Sequence, residues 1–333
     1  MSEPVLQEVR HPKASVIIVN WNGERFIERC LAALAVQTLK PHEIIVVDNA
    51  STDGSLEIVR RFPDVRVIAL DQNTGFARGN NLAIKTASEE STWIALINPD
   101  AFTEPRWMEE LLVAAQSNPE FDVFCSQLIN ADNPKLLDGA GDTYHWSGLA
   151  WRMAQGSPVP TSTESVREVF SPCAAAALYR RSTFSEAGGF DEDYFCYVED
   201  VDLGFRLRLG GCRCLYVPQS VAHHVGFGTT DGQRSDFAVY HGHRNLVWAF
   251  VKNMPGWLFW ACLPPHLLLN LVSIIWFVLR GQGGVILRAK RDALLGTPKM
   301  WHKRKQIQKS RIASVRDVWR ALDKRLFPIG KKT

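Results

Sequence analysis

Two aspartates stand where apolar runs end: Asp48 after Glu43–Val47, and Asp100 after Trp93–Ile97. A carboxylate placed straight after several buried apolar residues is partly desolvated, which is costly unless a ligand, metal or hydrogen-bond donor compensates. Asp100 is therefore a candidate ligand for a divalent cation. Farther on, Glu199, Asp200 and Asp202 open a run in which Val201, Phe205 and Leu209 are spaced for the buried face of a helix. Acids in a first turn suit the helix dipole, but one of them projecting into a cleft would be a general base. With Asp191 and Asp193 close by in sequence, mutual repulsion is expected to raise a pKa in this group. His223 and His224 follow the apolar stretch Cys214–Val217 and precede Gly226 and Gly228. One of them is expected as a second, imidazole ligand beside Asp100. His241 and His243 have weaker claims and are expected to pack near Arg244 and Asn245.

These groups need a scaffold, and the first hundred residues describe one. Ser15–Asn20 reads as a fully buried strand, and Phe26, Ile27, Cys30, Leu31 and Leu34 fall at helical spacing. The alternation repeats: strand Glu43–Val47, helix Ser55–Phe62, strand Val65–Leu70, helix Gly79–Ala87 and strand Trp93–Ile97. Short units of this kind predict an α/β fold, a doubly wound, mostly parallel sheet covered on both faces. Ligands bind such sheets at the carboxyl edge of the strands, where the chain places Asn20 to Asn22, Asp48 to Gly54, Asp71 to Gly75 and Asn98 to Asp100. Ser51, Thr52 and Asp53 are expected to make turns and cap a helix. The chain contains neither G-x-G-x-x-G after its first strand nor G-x-x-x-x-G-K-[ST], which disfavours a Rossmann dinucleotide site and a P-loop. A nucleotide held by carboxylates and a metal fits what is present.

Composition sets the surroundings. The 333 residues carry 38 basic and 35 acidic side chains, but residues 280–333 hold 16 of the basic and only 3 of the acidic ones. That split predicts a tail facing an anionic surface, lipid or nucleic acid. Seven scattered cysteines without C-x-x-C spacing indicate neither a disulfide framework nor a zinc knuckle, and a reducing, cytoplasmic setting fits. The polar N-terminal lead, residues 1–13, lacks the apolar stretch of a signal peptide.

Residues 257–279 are uncharged and rich in Leu, Ile, Val, Trp and Phe. By length the segment could cross a bilayer. Pro264-Pro265 are expected to interrupt its helix, leaving a remainder of about 21 Å against a hydrocarbon core of roughly 30 Å. The basic tail should also remain cytoplasmic by the positive-inside rule. The expectation is an in-plane or re-entrant element with Trp257, Trp260 and Trp276 near the interface, against the alternative of a buried core helix. Aromatic residues are not interleaved with the tail charges as a single-strand platform requires, so lipid is expected as the partner and nucleic acid is not.

Seven motifs in order, VIIVNWNG, IIVVDNASTDGS, NTGFARGNN, LINPD, GGFDEDYF, EDVDLGFRL and HHVGFGTT, give the chain a resemblance to family 2 glycosyltransferases of GT-A fold. Among them it is similar to the rhamnosyltransferase-like members that build bacterial surface polysaccharides. The resemblance spans about residues 14–250, implying a nucleotide-binding half at 14–100 and an acceptor half at 101–250. Residues 251–333 would form a membrane-associated helical extension. It further implies that Asn20, Asn22 and Asp48 hold the base and ribose, and that Asn73, Gly75 and Arg78 lie along the nucleotide. Asn98 and Asp100 would stand at the metal and diphosphate motif, Asp100 and His224 would bind Mg²⁺ or Mn²⁺, and Asp200 would be the catalytic base. The family's metal motif has acids at both ends, whereas this chain has Asn98 at the first, which should increase dependence on the histidine. His223 is the rival of His224 for that place.

The implied chemistry suits these residue types. Displacing a nucleoside diphosphate from a sugar builds negative charge on the leaving oxygen, which a divalent cation neutralises. The acceptor hydroxyl needs a carboxylate to take its proton. One base and one face of attack imply inversion. A lipid-linked glycan acceptor at the cytoplasmic face of the membrane, approached by a peripheral or monotopic enzyme, would explain the apolar segment. Two other readings are a non-catalytic nucleotide- or glycan-binding module, for which Asn98 speaks, and a nucleotidyltransferase, which would release pyrophosphate.

Overall fold

The computed structural model describes residues 12–161, 165–226 and 235–325. The first half follows the predicted alternation: β1 (Ala14–Asn20), α1 (Ile27–Ala35), β2 (Glu43–Asp48), α2 (Ser55–Val59), β3 (Val65–Ala69), α3 (Gly75–Thr86) and β4 (Trp93–Ile97). β1 pairs in parallel with β2 and β4, and β2 with β3. β1, β2 and β4 are mainly apolar because both faces are covered, with Val16, Ile18 and Val46 beneath α1 and Ile17, Ile45 and Val47 beneath α3, whereas β3 at the sheet edge is only partly buried.

α3 begins four residues earlier than its apolar spacing predicts. Gly75 opens it at φ +82°, and Asn73 Oδ1 accepts the Gly75 amide at 2.9 Å. A side chain at Gly75 would lie 2.5 Å from the Phe195 carbonyl, so the early start depends on glycine.

The second half extends the sheet with mixed polarity. β5 (Ala101–Thr103), α4 (Trp107–Ser117), β6 (Val123–Asn130), β7 (Leu137–Gly139), a hairpin of β8 (Asp142–Tyr144) and β9 (Ala150–Arg152), β10 (Arg167–Val169), β11 (Ala176–Arg180), α5 (Arg181–Glu186), α6 (Glu199–Leu209) and β12 (Cys214–His224) follow in order. The strand order is β10-β12-β6-β11-β4-β1-β2-β3, with β5 beside β12 and β7 beside β6. β11 runs antiparallel to both β4 and β6, so the doubly wound half joins a mixed half at β4. β12 is longer than the predicted Cys214–Val217 because an irregularity between Val217 and Val221 lets it resume pairing. His223 and His224 thus sit at the end of a strand and not in the loop after it.

Three helices complete the chain: α7 (Asp236–Asn253), α8 (Gly256–Leu279) and α9 (Gly283–Lys309), with a short α10 (Val315–Ala321). The expected boundary at residue 250 falls inside α7, which continues to Asn253 before Met254-Pro255 ends it. α8 runs unbroken through Pro264 and Pro265, correcting the expected interruption. The carbonyls that the prolines leave without a helical donor are those of Trp260 and Ala261, both on the exposed side. Its length is about 36 Å at the usual rise. The core-helix alternative is also corrected, since only 11% of its most apolar stretch is buried. Trp257, Trp260, Leu267, Leu268, Leu271, Val272, Ile275, Trp276 and Leu279 are exposed.

α8 nevertheless stays tied to the body. Leu258 and Cys262 are buried with Phe250 and Met254, and the His266 ring stacks on Phe250 at 3.9 Å while its Nδ1 lies 2.8 Å from the Ser147 carbonyl. α9 then runs in the same direction as α7. Gln282 donates to Asp236 at 2.8 Å, Trp248 donates to the Ala293 carbonyl at 3.0 Å, and Arg304 donates to the Val251 carbonyl at 3.0 Å. Part of the basic tail is therefore engaged inside the molecule. Lys299 reaches Asp193 and Lys303 reaches Asp191 and Asp193, so the charge split serves cohesion as well as whatever lies outside.

Candidate functional site

A cleft of about 580 Å³ opens at the carboxyl edge of β1 and β4 and is bounded by β9, the start of α6, the end of β12 and α7. Asn73, Gly75, Asn98, Asp100, Asp200 and His224 all line it, as do Asp142, Arg152 and Glu199. Residues 100 apart in sequence thus meet in one crevice.

The pairing of β5 with β12 explains the first meeting. Ala101 lies opposite His224 and Phe102 opposite His223, and alternate residues of a strand face opposite sides. His224 is buried and brings Nε2 to 3.4 Å from Asp100 Oδ1. His223 turns outward to Glu104 at 3.1 Å. His224 Nδ1 is 2.6 Å from Asp138 Oδ2, and Arg152 also pairs with Asp138. Burial would push the imidazole down, but Asp100 and then Asp138 outweigh it and raise His224 to about 9. Burial would raise Asp138, yet its bond to His224 and the charge of Arg152 bring it to about 2.

This arrangement fits a divalent cation. Asp138 accepts from Nδ1, so a cation would take the place of the Nε2 proton, and Nε2 is buried with no directed hydrogen bond, only the 3.4 Å ion contact to Asp100. Asn98 Oδ1, a neutral oxygen where the family places an acid, is likewise buried and unpartnered. No group of three or more His, Cys, Asp or Glu side chains gathers as a ready-made metal site among the described residues. An ion here would draw its remaining ligands from substrate and water.

Asp200 stands at the first turn of α6 as its spacing predicts. Its carboxylate accepts the Ala174 amide at 3.3 Å and the Val201 amide at 2.8 Å. Burial raises its pKa, and those amides with the Arg152 charge only partly offset the rise. Glu199 and Asp142 are pushed well above the carboxylate range, by burial first and then by the Asp200 charge. At the other acids the repulsion is present but outweighed, since Asp191 acts to raise both Asp193 and Asp202. Burial would raise Asp191, Asp193 and Asp202, but cations hold all three down: Lys252 and Lys303 at Asp191, Lys299 and Lys303 at Asp193, and Lys252 and Arg206 at Asp202. That part of the expectation is corrected, because each of these acids has a lysine or arginine from α6, α7 or α9.

The turn before Asp200 is strained. Phe195, Tyr197 and Val198 all have φ between +64° and +69°, and a β-branched residue there is a true outlier. Asn245 of α7 holds the turn, its amide lying 2.7 to 3.0 Å from the carbonyls of Tyr194, Cys196 and Tyr197. His241 stacks on Phe195 nearby, a packing role as expected.

Asn20, Asn22, Asp48 and Arg78 do not line the cleft. Asn20 donates to Asp48 at 3.0 Å and to Ser55 at 2.9 Å, and Asp48 also accepts the Ser51 amide. The strand-end carboxylate at 48 is thus compensated by protein donors. Asn22 accepts the Thr52 amide at 2.8 Å, joining the two loops. Asp53 makes the expected turn contacts with the amide and hydroxyl of Ser55. Arg78 faces a neighbouring groove, 3.9 Å from Glu192. The segment that carries Phe-Gly-Thr-Thr, 227–230, lies outside the described residues.

Sequence reasoning missed Arg152, Asp138, Asp142 and Asn245. The first three sit around a hairpin whose strands are only three residues each, too short for periodicity to register. Asn245 is one of several polar residues in α7, beside His241, His243 and Arg244, and nothing local marks its distant partners.

Comparison with known proteins accords with this geometry. The model of the family described as "Glycosyl transferase family 2" matches residues 15–187. An N-acetylglucosaminyl-diphospho-decaprenol L-rhamnosyltransferase of Mycobacterium tuberculosis is 31% identical over 249 residues, covering 68% of this chain and 80% of that protein. In structure, the mannosyltransferase PcManGT of Pyrobaculum calidifontis, solved with GDP-Man and Mn²⁺, aligns over 94% of this chain and 88% of its own, with a TM-score of 0.53 and 17% identity. GalNAc-T7, solved with UDP, GalNAc and Mn²⁺, aligns over 74% of this chain and 48% of its own, with a TM-score of 0.59 and 17% identity. A GT-A fold, a family match over more than half its length and a rhamnosyltransferase relative at this level place the chain in glycosyl transferase family 2, as a rhamnosyltransferase-like glycosyltransferase.

Proposed function

We propose that this glycosyltransferase moves a sugar, rhamnose by analogy with its relative, from a nucleoside diphosphate to a hydroxyl of a lipid-linked glycan, with inversion, in surface polysaccharide synthesis. The observation that carries the reading is the convergence of Asp100, His224 and Asp200 on one cleft. Asn73 and Gly75 at the start of α3 would lie along the nucleotide, with Asn98 at the diphosphate end. Asp100 and His224 would hold Mg²⁺ or Mn²⁺, which when bound supplies neutralising charge for the departing diphosphate. Asp200 accepts the acceptor's proton as the new oxygen–carbon bond forms opposite the breaking one. Asn20, Asn22 and Asp48 would act by fixing the loops beneath the base, and Arg78 from the rim. Residues 14–250 form the catalytic portion in this reading, and 251–333 the attachment.

The test is a panel of nucleotide sugars supplied to the purified enzyme with a polyprenyl-diphosphate-linked acceptor, with and without chelator. Release of a nucleoside diphosphate, lost on chelation and restored by Mn²⁺ or Mg²⁺, is expected. Pyrophosphate as product would reject the reading.

The attachment is to one leaflet. α8 lies against α9, and α9 is bound along α7, which itself lines the cleft. With α8 also held at His266, crossing a bilayer would require undocking it from the catalytic body. Its exposed apolar side, with Leu287, Leu294, Leu295 and Trp301 of α9, would instead rest in the interface at the cytoplasmic surface. Replacing Leu268, Leu271, Val272 and Ile275 by serine is expected to release the protein from anionic vesicles, at about 0.8 kcal/mol per buried methylene lost. Unchanged co-sedimentation would reject the placement.

A further inference from the structure

Arg152 is the only lysine or arginine among the described residues that line the cleft. Its side chain is 18% exposed, and its hydrogen bond among those residues runs through one nitrogen, Nη1, to Asp138; Nη1 also lies 3.4 Å from His224 Nδ1, whose own proton goes to Asp138. Among the described residues Nε and Nη2 make no hydrogen bond, and Arg152 belongs to the wall of the cleft. The stem has reserved space as well. A side chain on Gly139, across the hairpin base, would come within 2.4 Å of Arg152 Cγ and Cδ.

A permanently charged, planar guanidinium that lines a cavity with two of its nitrogens not hydrogen-bonded among the described residues matches an anion with paired oxygens. The carboxylates nearby are Asp138, which already shares Nη1 and His224, and Asp142 and Asp200, whose charges Arg152 feels from farther off. The anion that the reaction produces is the diphosphate leaving group, and it must form beside Asp100 and His224. Asn98 contributes no charge there, so the wall holds fewer acids to oppose an arginine's attraction for phosphate.

We propose that Arg152 is a catalytic residue that binds the terminal phosphate of the leaving nucleoside diphosphate, and that Gly139 keeps the place its side chain occupies. This deepens the glycosyl-transfer reading and rests on it. Negative charge on that phosphate increases as the sugar–oxygen bond breaks, so the contact strengthens along the reaction and belongs in kcat as well as in product affinity.

The test is calorimetric binding of UDP, dTDP and GDP, each with Mn²⁺, against UMP, dTMP and GMP, to the full-length protein. For the base that wild type accepts, Arg152→Met should weaken diphosphate binding on the order of 10- to 100-fold, as for a lost charge-assisted contact. Monophosphate binding should be almost unchanged. Arg152→Lys should recover part of the diphosphate preference, and Gly139→Ala should lose it with Arg152 still present. Unfolding midpoints near that of wild type show that each variant is folded. Equal weakening for diphosphate and monophosphate, or none for either, would overturn the assignment and leave Arg152 a structural partner of Asp138. A wild-type protein that binds none of the diphosphates would reject the donor-site reading itself.

Discussion

Asp200→Asn is expected to lower turnover by about 10²- to 10⁴-fold, the usual contribution of a positioned general base, while nucleoside diphosphate affinity stays at the wild-type value. The asparagine keeps the shape of the side chain, and its one amide oxygen can still accept the Val201 amide, the shorter of the two contacts that the carboxylate oxygens make with Ala174 and Val201. What it cannot do is take the acceptor's proton. The pH profile gives an independent reading. Burial raises Asp200 above its ordinary value, and the base works only when ionised. Activity should therefore rise with pH through an apparent pKa above about 3.9, the unperturbed aspartate value, and the residual activity of the variant should lack that limb. A variant with near-normal turnover, or one whose loss is entirely weaker donor binding, would reject the role. Glu199→Gln serves as a comparison: Glu199 shares the cleft and the raised pKa, but the proposal assigns it no proton transfer, so the limb should survive.

The second large effect concerns the imidazole. His224→Ala is expected to reduce kcat/KM on the order of 10²-fold or more, since a cation's stabilisation of developing charge amounts to several kcal/mol. Stimulation by added Mn²⁺ should disappear with it. His223→Ala should behave like wild type, because that ring turns away to Glu104. Asp138→Asn should fall between them, with metal affinity weakened about 10- to 100-fold, the usual cost of disturbing the group that orients a ligating histidine. Manganese titrations of activity, paired with Mn²⁺-dependent diphosphate binding, check all three. If the His223 variant loses metal response and the His224 variant keeps it, the assignment is reversed.

The sheet was legible because β1, β2 and β4 carry unbroken apolar centres, Val16–Val19, Ile44–Val47 and Trp93–Ile97, as strands buried on both faces must. Asp100 and Asp200 were legible for a related reason: each is a charge at the end of an apolar pattern, and the pattern fixes where the charge must stand. Asp48 shows the limit of that reasoning. It has the same sequence setting as Asp100, yet Asn20 and the Ser51 amide compensate it, and nothing in a strand's own pattern tells a protein donor from a ligand. Choosing between His223 and His224 required the partner strand, since neighbours on a strand face opposite ways and only the pairing with β5 shows which side holds Asp100. The prolines of α8 misled because their effect on a helix depends on what surrounds the freed carbonyls. Arg152 and Asn245 were invisible because their partners lie tens of residues away, on elements whose adjacency only the tertiary fold creates.

The lysines that bind α9 to Asp191 and Asp193 have a mechanical implication. The same few residues that precede the strained turn at Phe195–Val198 are gripped by α9, which carries exposed apolar residues of its own, so in the proposed attachment a pull on that side would be felt at the seat of Asp200. A chain cut after α7 would lose Lys299 and Lys303 and leave the turn to α7 residues such as Asn245 and Lys252, so truncation would be expected to loosen the seat of the proposed base. The anchorage and the rate of transfer would then change together, and detergents or lipids that alter how α9 rests should tune turnover without ever entering the cleft.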